Sequence, residues 1–296
     1  MIAIIGASGN IGSKTTEALL AAGQQVRAIA RHVDKLQPLV EKGAEAWIGD
    51  ASDAAFLTRA FEGAEAVFLI ISAQMDSSDI AAYQDAIGTS QVAAIKAAGV
   101  KNVLFISSQG GHTEEKTGIV AGVARQEKRL NALEGVNVLI LRPTYFMENT
   151  FNSIGLIKNT GINGSAIKSD VSMPMIATQD IAKVAAEKLL QLPFTGKSHL
   201  DLLGDRNYTQ VEVTQIIGAA IGKPELPYIE FSYADQKAGL MQYGISESMA
   251  DAYVGLYEGI NIGQLSHGVR NAETTTPTSL EWFVENVFKH AYAANA

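Results

Sequence analysis

Met1-Ile2-Ala3-Ile4-Ile5-Gly6-Ala7-Ser8-Gly9-Asn10-Ile11-Gly12 opens the chain, and its reading decides the fold. The apolar run at 2–5 predicts a buried parallel strand, three glycines follow at a spacing of three, and a helical pattern begins at once. Gly6 permits a sharp turn off the strand because it lacks a Cβ. Gly9 leaves room for a pyrophosphate against the backbone, and Gly12 lets the helix pack close to the sheet. The first amides of a helix have no internal partners and lie at the positive end of its dipole, so the turn suits an anion. Gly6, Ala7, Ser8, Gly9, Asn10, Ile11 and Gly12 are therefore candidate dinucleotide-binding residues. An ordinary glycine-rich turn would share the pattern, but its place directly after a strand favours the cofactor. A P-loop is excluded, since Lys14-Thr15 does not directly follow the last glycine.

Working outward, strands and helices alternate. Further strands are predicted at 25–30, 44–48, 66–71, 102–106 and 136–141, and helices at 10–22, from 33, at 53–61, 78–98 and 121–133. The run Ala66-Val67-Phe68-Leu69-Ile70-Ile71 is apolar on both faces, as suits the centre of a parallel sheet covered on each side. This alternation is the signature of an α/β fold with a Rossmann-type, doubly wound parallel sheet, expected to hold the dinucleotide within residues 1–150. Past Pro143 the alternation weakens. Helices near 145–158, 179–190, 209–221 and 233–260, with short extended pieces at 198–203 and 227–231, predict a smaller mixed C-terminal lobe over residues 151–296. That lobe is expected to cover the ligand edge of the sheet, interleaved with it and without a clean boundary.

Composition narrows the function. The 296 residues are 47% hydrophobic and 18% charged, which describes a globular chain with ample core. A net charge of −8 argues against a nucleic-acid or anionic-membrane binder. With no cysteine, thiolate catalysis and zinc-thiolate sites are excluded, and the five histidines (His32, His112, His199, His267, His290) show no metal-ligand spacing. No signal peptide or membrane-length apolar run is visible, so a cytoplasmic setting is the expectation.

The strand ends carry the remaining candidates. NAD binders usually place an acid after the second strand, to accept from the ribose hydroxyls. Here the strand ends Ile29-Ala30-Arg31-His32, and the Arg31 guanidinium suits the 2′-phosphate of NADP. Asp50, after the third strand, can accept from an adenine amino group, although Asp50-Ala51-Ser52-Asp53 is also a plausible helix-cap region. Ser72, Ser107 and Ser108 follow the fourth and fifth strands, with hydroxyls placed to meet the nicotinamide ribose or a substrate.

These motifs, with Gly49-Asp50, Ala97-Ala98-Gly99-Val100-Lys101, Gln126-Glu127-Lys128 and Leu141-Arg142-Pro143, resemble atypical short-chain dehydrogenases/reductases of the NmrA-like branch. Within it the chain is most similar to the bacterial NAD(P)H:quinone oxidoreductase and triphenylmethane reductase group, and the likeness runs on through Asn207-Tyr208-Thr209 to Ile221-Gly222-Lys223. The resemblance implies NADP(H) in the cleft, with Lys128 at the position of the lysine that holds the nicotinamide ribose. It also exposes a departure. The usual tyrosine proton donor, four residues before that lysine, is here Ala124. Tyr233 and Lys237 repeat the spacing far downstream, as a chance match would.

An acceptor that needs little protein acid resolves the departure. Quinones, conjugated enones and dye cations take hydride into a delocalised system, so catalysis reduces largely to proximity and orientation. Tyr145-Phe146-Met147-Glu148-Asn149 is the expected substrate wall, with Tyr145 or Asn149 as hydrogen-bond donor beside Lys128; Tyr253 and Tyr257 could close the pocket or simply pack. The expected activity is NADPH-dependent reduction of a small conjugated substrate by a monomer or homodimer. The alternative is a non-catalytic NADP(H) sensor that regulates a protein partner.

Overall fold

The computed structural model describes residues 1–265 and 268–294, so His267 lies outside the described residues. The first half runs β1 (Ile2–Ile5), α1 (Asn10–Ala21), β2 (Val26–Ala30), α2 (Gln37–Val40), β3 (Glu45–Ile48), α3 (Ala54–Phe61), β4 (Ala66–Ile70), α4 (Ile80–Ala98), β5 (Asn102–Ile106), α5 (Ala121–Asn131) and β6 (Asn137–Pro143). The second half runs β7 (Tyr145–Phe146), α6 (Ile154–Thr160), β8 (Asn163–Ser165), β9 (Met173–Ile176), α7 (Thr178–Leu190), β10 (Lys197–Leu202), β11 (Asn207–Tyr208) and α8 (Gln210–Ala220). It ends with β12 (Tyr228–Glu230), α9 (Tyr233–Gln242), α10 (Glu247–Asn261), α11 (Leu280–Phe283) and α12 (Lys289–Ala294).

Seven parallel strands form one sheet in the order β10-β6-β5-β4-β1-β2-β3. Alternate residues of each strand face opposite layers. Ile2, Ile4, Leu104, Ile106, Leu139 and Leu141 join Leu19 of α1 and Ile181 and Leu189 of α7 in one core. Ala3, Ile5, Val67, Leu69, Val103 and Phe105 meet Leu57, Ile87, Ile95 and Leu130 from α3, α4 and α5 in the other. The sheet is thus buried on both faces, as the two-sided apolar strands predict. A three-stranded sheet, β11-β9-β7, and the pair β12-β8 build the smaller lobe around their own core.

Three readings need correcting. The stretch near 198 is β10, paired in parallel with β6, so it extends the main sheet and does not belong to the lobe's small sheets. The predicted helix over 233–260 is two helices, broken where Gly244 takes a positive φ of 82° and Ser246 caps α10 by accepting from the Met249 amide. The helix expected from 145 starts later, because Tyr145 and Phe146 pair with Met175 and Ile176.

Backbone meets backbone closely at the opening turn. A Cβ on Gly12 would stand 2.2 Å from the Gly6 carbonyl oxygen and 3.0 Å from the Ala7 Cα, both backbone atoms that cannot step aside. Gly12→Ala should force α1 off the sheet and cost about 1–3 kcal/mol, the usual range for overpacking. A lower urea midpoint at unchanged slope would report it.

Candidate functional site

Because all seven strands run parallel, the residues after each of them gather along one edge. Gly6, Arg31, Asp50, Ser72, Ser107 and Thr144 directly follow the ends of β1 to β6, or come within two residues of them. Strand order reverses between β1 and β4, which opens a crevice at that edge where open α/β sheets hold ligands.

The turn at this crevice is shaped for an anion. Gly6 has φ 71° and donates its amide to the Ile29 carbonyl (3.1 Å), and Gly9 donates back to the Gly6 carbonyl (2.9 Å). Gly9 is the N-cap of α1, so no side chain caps the helix, and its first turn holds no acid. Ser8, Gly9 and Asn10 are exposed, whereas Ala7 and Ile11 are buried and offer the crevice backbone only. An uncapped N-terminus, pressed close by glycines, fits a dinucleotide pyrophosphate.

Arg31 is exposed, and no side chain among the described residues hydrogen-bonds its guanidinium. It lies close enough to Asp50 to help lower that carboxyl below its ordinary range; the main causes are the backbone and hydroxyl of Ser52, which donate at 2.8 and 2.7 Å. Asp50 thus holds a turn with one carboxylate oxygen, while Asp53 is the cap of α3. Ser72 is exposed and within 3.3 Å of the Tyr83 hydroxyl.

A buried ion pair stands behind Ser107. Arg142 Nε and Nη2 donate to the two oxygens of Glu127 at 3.0 and 2.6 Å, and Ser107 Oγ donates to Glu127 Oε1 at 2.5 Å. The Glu127 side chain is 4% exposed. Its carboxylate, by hydrogen-bonding Arg142, holds that guanidinium above the usual arginine value. With its proton committed to Glu127, Ser107 has only lone pairs left to offer a ligand. A Cβ on Gly111 would stand 2.4 Å from both Glu127 Oε1 and Ser107 Oγ, so the loop after β5 packs directly on this pair. Sequence reading quoted Glu127 and Arg142 only within motifs; 15 residues apart, on a helix and at a strand end, they match no spacing rule.

One residue further along α5, the Lys128 side chain is 64% exposed, and its amine reaches Glu114 Oε1 at 2.6 Å. Any ribose contact by Lys128 competes with that carboxylate, which the lysine's hydrogen bond holds below its ordinary range. Ala124 is 1% exposed, packed where the common proton donor would stand. Tyr233 and Lys237 lie on α9, where Tyr233 accepts from Asn261 and Lys237 pairs with Glu247 and Asp251.

A cavity of about 190 Å³ adjoins the edge and a second of about 470 Å³ lies beyond it, and Tyr145, Asn149 and Tyr253 line both. Burial raises the Tyr145 phenol well above its ordinary value, and a hydrogen bond from Asn149 opposes this. Tyr145 is therefore a hydrogen-bond donor and a poor acid. Of the expected wall, Phe146 also lines the smaller cavity, Met147 is core, and Glu148 holds the N-terminus of α7 by accepting from the Thr178 amide at 3.1 Å. Lys128 lines neither cavity, whereas Gln109 and Gln210, absent from the sequence reading, line one each. Buried amides with free polar atoms carry no sequence signature.

The model of an NAD(P)H-binding family matches residues 6–191, more than half of the chain. The chain belongs to this family. Its NmrA-like, atypical short-chain dehydrogenase/reductase character agrees with the relatives found. It is 24% identical to the NAD(P)H azoreductase of Xenophilus azovorans over 296 residues, all of both chains. It is 29% identical to quinone oxidoreductase 2 of Escherichia coli (strain K12) over 253 residues, 85% of each. The solved NADPH complex of the Escherichia coli NADPH-dependent quinone oxidoreductase superposes with TM-score 0.81 at 27% identity, covering 97% of this chain and 100% of that one. Among the described residues no helix is long and apolar enough to cross a membrane.

Two outcomes follow. Arg31→Ala should weaken NADPH binding by about 1–3 kcal/mol more than NADH binding, the value of one charge-assisted hydrogen bond; fluorescence titration with both cofactors reads the difference, and equal losses would refute the assignment. Glu127→Ala should cost about 3–5 kcal/mol in urea unfolding by stranding Arg142, and Glu127→Met with Arg142→Met should recover most of it.

Proposed function

We propose that the chain is an NADPH-dependent reductase that passes hydride to a small conjugated acceptor, quinone-like or dye-like. One observation carries the reading. Beside the crevice shaped for a dinucleotide, the two cavities are lined, among the described residues, by no carboxylic acid, imidazole or amine, and a buried alanine stands where the usual proton donor would be. Acceptors that delocalise the incoming electron pair need no strong acid from the protein. The family relationship and the names of the quinone and azo-dye relatives support the same class.

In this reading residues 1–150 hold the cofactor and the later residues shape the acceptor site. The cofactor supplies the hydride when bound. The α1 amides hold the pyrophosphate, Arg31 the 2′-phosphate, and Asp50 and Ser72 the adenosine and ribose sides of the crevice. Lys128, released from Glu114, donates to the nicotinamide ribose, and Ser107 accepts through its lone pairs. Tyr145 and Asn149 orient the acceptor oxygen by hydrogen bonding, and the proton that completes reduction to the hydroquinone comes from water.

Steady-state oxidation of NADPH with a panel of quinones and azo dyes tests this reading. Turnover with at least one class is expected, and no turnover above background across the panel would sink it and leave the sensor reading. Lys128→Ala should raise the KM for NADPH about tenfold, with a smaller change in kcat, because the contact serves ground state and transition state alike.

A further inference from the structure

The two cavities differ in what they touch. The smaller abuts the sheet edge through Ser108, Gln109 and Thr144. The larger starts at the shared Tyr145, Asn149 and Tyr253 and runs into the lobe between α6, α9 and the β8-β12 pair. Neither lining holds an Asp, Glu, Lys, Arg or His among the described residues.

Most polar groups of the larger cavity are already committed. Asn163 donates to Thr214 Oγ1 at 2.8 Å and accepts from the Gly164 amide at 2.9 Å. Gln236 accepts from the Ala166 amide at 2.9 Å, and the Tyr228 hydroxyl donates to the Ile167 carbonyl at 2.6 Å. Gln210 is 8% exposed, and its amide nitrogen is enclosed in the wall with no partner among the described residues. Burial pushes the Tyr228 hydroxyl up to about 12 and raises Tyr253 and Tyr257 as well, so the aromatic wall stays uncharged.

We propose that the larger cavity is a subsite for an uncharged aromatic arm on the acceptor and that it rejects charged arms. This rests on the reductase reading and adds that the ring that takes the hydride occupies the smaller cavity, which abuts the sheet edge. A neutral aryl group gains from leaving water and from packing against the tyrosines. A sulfonate or ammonium there loses its hydration with no counter-charge to replace it.

The test compares 1,4-naphthoquinone, 2-phenyl-1,4-naphthoquinone and 2-(4-sulfophenyl)-1,4-naphthoquinone as acceptors for the full chain with NADPH, and measures their binding by calorimetry with NADP⁺ present. The phenyl compound should exceed the bare ring in kcat/KM by about tenfold or more, and the sulfophenyl compound should fall below it. Two glycines of the lining have room for a plug: a Cβ on Gly239 meets nothing within 4 Å, and one on Gly155 meets only the Tyr243 hydroxyl at 3.7 Å. Gly239→Phe and Gly155→Phe, made separately, should each bring the phenyl-to-bare ratio near one and weaken phenyl binding by about tenfold. A ratio near one in the unaltered protein, or equal binding of phenyl and sulfophenyl compounds, overturns the subsite while the reductase reading stands. Phenyl binding that both plugs abolish, in a protein that reduces no quinone, supports the cavity's ligand preference and overturns the reductase reading.

Discussion

Everything at the ligand edge depends on how closely α1 lies against the turn that launches it. Gly12 sits over the Gly6 carbonyl with no space for a side chain, and α7 closes on α1 from outside, where Thr15 Oγ1 reaches the Ala182 carbonyl at 3.5 Å. That packing points an uncapped ring of amides at the one place where the strand order reverses. A bulkier residue at 12 would lift the helix and remove the dipole from the crevice, although every other element could still form. The same contact therefore serves stability and ligand binding, and the two cannot be tuned apart at this position.

The edge also separates charge from neutrality. Glu127 and Arg142 bury a bidentate ion pair directly behind Ser107, and that pair fixes which way the serine hydroxyl points. A buried pair of this kind is weak evidence for stability, since apolar residues of like volume often do as well. Its effect here is directional: it turns a hydroxyl that could donate or accept into one that accepts. A few residues away the cavity linings carry no formal charge among the described residues, so under the proposed reading electrostatic selection falls to the cofactor site and shape selection to the acceptor site. The exposed Lys128–Glu114 contact lies between these regimes, weak enough in water for a ligand to displace.

How far the sequence disclosed this follows from the range of the forces involved. The main sheet was legible because each strand is a short apolar run bounded by turn residues, and Asn102–Ile106 was placed to the residue. Local rules failed where pairing is distant: the extended piece at 198–203 was legible, but its place beside β6, a partner almost sixty residues away, was not. The break between α9 and α10 was written in Gly244 and Ser246, yet apolar periodicity continued across it. In the site, the opening glycines and Arg31 stood out as candidates because a phosphate needs backbone room and a cation close to a known turn. Glu127, Gln109 and Gln210 did not, because their roles come from burial beside groups remote in the chain.

The replacement of an acid by Ala124 and the state of Tyr145 bear on one question from two sides. In a site that must protonate an alkoxide, a lysine beside the tyrosine lowers its pKa so that it can give up a proton near neutral pH. Here burial moves Tyr145 the other way, and Lys128 is engaged with Glu114 outside both cavity linings. A phenol of raised pKa keeps its proton and remains a sound hydrogen-bond donor. Such a donor stabilises charge spread over a conjugated oxygen, which is weakly basic, far better than it could protonate a localised alkoxide. The chemistry that survives the loss of the acid is the chemistry that never required one, and the uncharged cavity wall then decides which conjugated molecules are held for it.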